Sequence, residues 1–158
     1  MDAWFSKHPK TEREFQQIIL RENNNINIAN DTDYFIADIE YVNNEIGCRF
    51  DMLGVKWLST SGARRNKENL KPVIIEVKYG DRALIGNAGL EKHIDDVLAI
   101  LSDEERKLLF IEDAEKIFNQ KLELGLVRKD IKEKITLDRT QKPEFLLISA
   151  NHSKRFAI

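Results

Sequence analysis

The sequence predicts a single α/β domain over residues 1–158, in the order helix, three strands, helices, strand. Two periodicities and their punctuation predict it. Apolar residues recur at helical spacing after Thr11 and again between 90 and 124. Residues 34–58, 72–79 and 145–149 are instead rich in β-branched and aromatic side chains. Asn-rich and Gly-bearing stretches separate these blocks. The chain is 42% apolar and 33% charged, which fits one folded domain with a sizeable core and not a disordered segment.

Thr11-Glu12-Arg13-Glu14 has capping-box spacing, with Thr11 as N-cap and Glu14 reaching back. Phe15, Ile18, Ile19 and Glu22 continue the helical pattern, so the first helix is expected over residues 10–22, ended by Asn23-Asn24-Asn25. Tyr34 to Val42 reads as a strand, Asn43 to Gly47 as a turn, and Cys48 to Leu58 as the second strand of a hairpin. Residues 59–71 are polar and basic, a loop by composition. Pro72 then opens Val73-Ile74-Ile75-Glu76-Val77-Lys78-Tyr79, whose apolar run predicts a central strand buried on both faces and ended by Gly80.

Leu90, Ile94, Val97, Leu98 and Leu101 mark the apolar face of a helix over 89–101. Ser102-Asp103-Glu104-Glu105 is a second capping box, starting a helix that runs to Leu124 and stops at Gly125. Residues 126–142 carry only the hint of a short strand at Ile135–Leu137, and Phe145–Ser149 reads as a last buried strand.

Composition closes several function classes. A net charge of −2 excludes an overall basic protein, so any nucleic-acid surface must be a local patch. One cysteine, Cys48, excludes an internal disulfide framework and a Cys-rich zinc site, and three scattered histidines form no zinc motif. No apolar run reaches membrane-helix length and the N-terminus does not read as a signal peptide, so a cytoplasmic location without membrane partners is expected.

The chemistry concentrates at Glu76-Val77-Lys78. On a strand, Glu76 and Lys78 share one face, and burying a carboxylate and an ammonium is costly unless each has a partner or a metal. The acid-x-Lys triplets at Glu105–Lys107 and Asp130–Lys132 lie in charge-rich segments and need no such account. Asp51 is the second oddity, an acid inside an otherwise apolar strand. If the second and third strands are neighbours, Asp51 can face Glu76, and two adjacent carboxylates call for a cation between them. Mg²⁺ suits such oxygen ligands and keeps waters for a substrate phosphate, with Mn²⁺ able to substitute. A nearby lysine can orient an attacking water and stabilise phosphoryl charge. An ordinary salt bridge between Lys78 and either acid is the plainer alternative.

An acid on the second strand, then Glu-x-Lys on the third, between an early helix and a later one, resembles the PD-(D/E)xK phosphodiesterases, the restriction-endonuclease-like nucleases. The resemblance spans residues 10–150 and implies an αβββαβ core, a central mixed sheet flanked by helices. Phe50 stands where the motif's name has proline. It implies a Mg²⁺-dependent nuclease that hydrolyses phosphodiester bonds, most often in DNA, with Asp51 and Glu76 as metal ligands and Lys78 serving the water. Members often carry a first-helix Glu facing the metal, which would fall on Glu12, and a polar residue on the later helix, which would fall on His93. Glu12 is equally explained as a first-turn acid favoured by the helix dipole, and a lone His on an apolar face is more often a packed core residue.

Arg64, Arg65, Lys67 and Lys71 form the only compact basic patch, offset by Glu68, and could contact phosphates without reading sequence. A charged loop serving solubility is the usual alternative. Trp4, Phe5 and Trp57 could stack on bases, although core packing is the better account of most aromatics. The competing function is a catalytically inactive nuclease-fold domain that binds nucleic acid or a protein partner. A homodimer is the common form for a small nuclease that cuts both strands.

Overall fold

Lys71–Tyr79 (β3) is buried at every position from Pro72 to Lys78, as only a strand flanked on both edges and covered on both faces can be. In the computed structural model, which describes residues 11–24, 32–80, 90–127 and 131–151, its neighbours are β2 (Cys48–Lys56) and β4 (Glu144–Ala150). With β1 (Tyr34–Asn43) they form a four-stranded mixed sheet in the order β1-β2-β3-β4. The β1–β2 and β2–β3 pairs are antiparallel and β3–β4 is parallel.

Alternation along β3 divides the interior into two cores. Val73, Ile75 and Val77 meet Ile36 and Met52 under Phe15, Ile19 and Leu20 of helix α1 (Thr11–Asn23). Ile74 joins the opposite, larger core with Phe35, Phe50, Leu53 and Val55. That core is closed by Val97 and Ile100 of α2 (Leu90–Ser102) and by Phe110, Ile111, Ala114 and Phe118 of α3 (Glu104–Glu123). The protein is therefore an α/β sandwich of helix, mixed sheet and helices.

Several local expectations change. Thr11 is already helical, and the position before it lies outside the described residues. The cap of α3 is Asp103, whose carboxylate accepts from the Arg106 N–H at 3.1 Å, not Ser102. Ser102 ends α2 and spends its hydroxyl on the Leu98 carbonyl at 2.6 Å. On α2 the buried residues are Val97 and Ile100, while Ile94 and Leu98 are exposed, so the helix is rotated from the expected apolar face. Ile135–Leu137 forms no strand but a single bridge, Leu70 to Leu137. β4 is nowhere buried and is exposed at Leu147 and Ser149, as suits a strand whose outer edge pairs with no other among the described residues. Trp57 is core, packed on Phe35, and its indole N–H donates to the Ala63 carbonyl. Trp4, Phe5, Asn25 and the connection before α2 lie outside the described residues.

One irregularity positions the site. Along an undisturbed strand, Phe50 and Met52 would share a face. Here Phe50 and Leu53 lie in the α2–α3 core and Met52 in the α1 core. Ile39 and Tyr41 divide in the same way on β1. The ladder steps from Ile39–Met52 to Tyr41–Phe50 around Glu40, whose φ is 53°. β1 carries a further register shift between Ile36 and Asp38, and both strands turn over where Glu40 lies opposite Asp51. There β2 also leaves β3, since their ladder ends at Met52–Ile75.

Candidate active site

Glu76, Lys78 and Asp51 converge at this fork. The parting of β2 from β3 frees the Val77 N–H, and Asp51 Oδ2 accepts it at 2.8 Å in place of a strand carbonyl. The carboxylate therefore faces β3 without a ladder pair between Asp51 and Glu76. Glu76 has no exposed surface and Lys78 is 4% exposed. Lys78 Nζ donates to Glu76 Oε1 at 2.6 Å. His93, rotated inward on α2 with Val97 and Ile100, brings Nε2 to 3.1 Å from the same oxygen.

The electrostatics follow from burial. Removal from water pushes the Glu76 carboxyl up to about 7, opposed by Lys78 and reinforced by the Asp51 charge. Burial and then the Lys78 cation hold the His93 imidazole below its ordinary value, so it is predominantly neutral at pH 7. A proton near neutrality is thus contested between Glu76 and His93 across one short contact.

Two atoms of the cluster are buried without a partner among the described residues, Glu76 Oε2 and His93 Nδ1. Buried acceptors are normally satisfied, so the free Oε2 tests whether a cation fits. Asp51 and Glu76 supply two carboxylates, the complement Mg²⁺ commonly takes alongside water and phosphate oxygens. Among the described residues no three His, Cys, Asp or Glu side chains group as a metal cage, so a site here would be an open one.

The other sequence candidates are placed differently. Glu12 sits half-buried in the first turn of α1, with no hydrogen bond or ion pair to Asp51 or Glu76. The basic loop lies at the far end of β3, since Lys71 begins the strand and Glu76 follows about 17 Å along it. It is therefore not adjacent to the site. Arg64 is turned inward over Phe35 at 4.6 Å and Trp57 at 5.6 Å and donates to the Thr32 carbonyl. Lys67 pairs with Glu133, and Lys71 lies 4.0 Å from Glu144. Arg65 is exposed.

Sequence reading missed Glu40 and Arg13, which pair across α1 and β1 beside Asp51. The available signal was an acid one hairpin register from Asp51. Among the described residues, no helix is long and apolar enough to cross a membrane. Compared with family models, curated proteins and solved structures, the chain matches none.

Proposed function

We propose that the protein is a Mg²⁺-dependent nuclease of the restriction-endonuclease-like kind, hydrolysing phosphodiester bonds of DNA. The observation that carries the reading is Glu76: a fully buried carboxylate with one oxygen on Lys78 and His93 and the other without a partner among the described residues, beside a second carboxylate. An αβββααβ order with a mixed sheet, close to the expected αβββαβ core but with a second helix before β4, is consistent with it.

Asp51 and Glu76 would hold the cation, with Mn²⁺ able to replace Mg²⁺. Bound there, it supplies Lewis acidity toward a water and a phosphate oxygen. Lys78, the one ammonium of the cluster among the described residues, would hold the attacking water or the negative charge that develops on the phosphoryl oxygens. In the hydrolysis a water oxygen bonds to phosphorus, one ester P–O bond breaks, and the departing oxygen takes up a proton. His93 would move a proton, through Nε2 toward Glu76 or through Nδ1, which has no partner among the described residues. Glu12 enters only as a first-turn neighbour of Arg13, beside the strand position that carries Asp51. Exposed Arg65 would contact phosphate several nucleotides from the reacting one.

A second reading, an inactive nuclease-fold domain, draws on the Lys78–Glu76 contact, which a purely structural ion pair also makes. Incubation with supercoiled plasmid and Mg²⁺ or Mn²⁺ separates them. The nuclease reading expects nicking by the wild type and none by a folded Lys78→Ala variant. Intact plasmid and intact RNA after incubation with a folded, cation-bound wild type would favour the inactive domain.

A further inference from the structure

Three described non-glycine residues have φ in the left-handed region, Glu40 at 53°, Asn69 and Asn151. Asparagine tolerates that conformation; glutamate in mid-strand does not, and its surroundings must hold it there. Arg13 does so. Its Nε donates to Glu40 Oε1 at 2.8 Å and its Nη2 contacts the same oxygen. The helix carrying Arg13 is itself anchored, by Phe15 against Tyr79 at 5.5 Å between ring centres and by Ile19 and Leu20 in the α1 core.

We infer that Arg13 is a positioning residue for Asp51: by holding Glu40 left-handed, it fixes the turn-over of β1 and β2 that delivers the Asp51 carboxylate to the Val77 N–H and to Glu76. The register makes the link, because Glu40 is the β1 residue opposite Asp51 and both strands change face at that one position. Arg13 and Glu40 are each about a third exposed, and ion pairs so placed add little to global stability. The effect is therefore local to the fork. The value of Asp51 as a cation ligand rests on the function proposed above, whereas its placement against Val77 does not.

Amide hydrogen exchange on the whole chain tests the placement directly. In Arg13→Ala the Val77 amide should exchange about ten-fold faster, the loss of a charge-assisted bond, with the Val73 and Ile75 amides unchanged. Asp51→Ala gives the fully released rate for comparison. Glycine adopts φ near 53° without help, so Arg13→Ala/Glu40→Gly should recover most of the Val77 protection. Mn²⁺ affinity should fall in Arg13→Ala and return in the double variant. Unchanged Val77 exchange in Arg13→Ala overturns the inference, as does acceleration shared equally by Val73 and Ile75, or no recovery on adding Glu40→Gly. Exchange behaving as expected in a protein that binds no Mn²⁺ would leave Arg13 positioning Asp51 and remove the cation reading alone.

Discussion

Glu76 accepts from Lys78 and lies against His93 with no access to water, and its proton equilibrium reports on the whole cluster. Its folded carboxyl titrates near 7, against 4.5 for an ordinary glutamate. Below 4.5 it is protonated in both folded and unfolded chains. Between 4.5 and about 7 the unfolded chain ionises it first, so its contribution to stability is lost as pH rises through that window. His93 acts in the opposite sense, since its lowered value takes stability away as pH falls below 6.5. Urea unfolding of the metal-free wild type and Glu76→Gln from pH 4 to 8 isolates the first effect: the variant should gain on the wild type as pH rises. Lys78→Met removes the one cation offsetting Glu76. It should push the Glu76 carboxyl higher still and cost about 3 kcal/mol at pH 8, where the group must stay charged or take up a proton, and much less at pH 5, where it is already protonated.

At the scale of elements, the loop between β2 and β3 separates structural from exposed cations. Arg64→Ala, which strips a guanidinium from two aromatic faces, should cost about 1–2 kcal/mol in thermal unfolding, and Arg65→Ala about 0.5 kcal/mol at most. In β2, a Cβ on Gly54 would lie 3.1 Å from the Phe35 carbonyl oxygen and 3.2 Å from Ile75 Cδ1. Gly54→Ala should therefore destabilise by about 1–3 kcal/mol.

These elements were legible to different depths. The order of helices and strands follows from two periodicities that the structure keeps, and β3 was read as buried because its run is unbroken by polar residues except Glu76 and Lys78. The rotation of α2 was not legible. Ile94 and Leu98 extend the apolar spacing, yet His93 is the residue turned to β3, and one helix cannot bury both faces. The turn-over at Glu40 and Asp51 was hidden as well, since strand alternation assumes an unbroken pleat. The loop's basic residues were visible, but whether they lie near the site depends on which end of β3 carries Glu76.

Across the whole molecule, the mixed sheet brings together residues that lie far apart in the chain. Asp51 and Glu76 come from strands that part at the site, His93 from a helix on one face, and Arg13 from a helix on the other. Asp51, Glu76 and Lys78 are legible in the sequence through the cost of burying charge in apolar strands, whereas His93 is a candidate only through the family resemblance. Cation binding should couple to the stability of the fold. At a hundred-fold excess over its dissociation constant, Mg²⁺ should stabilise the wild type by about 2.7 kcal/mol. Thermal melts of Asp51→Asn/Glu76→Gln should not move with Mg²⁺. The most direct measurement is a calorimetric Mn²⁺ titration of the wild type beside that double variant, both checked for folding. The account expects saturable binding in the wild type and none in the variant. A folded wild type that takes up no Mn²⁺, even with DNA present, would contradict it and leave Glu76 and Lys78 as a buried structural pair.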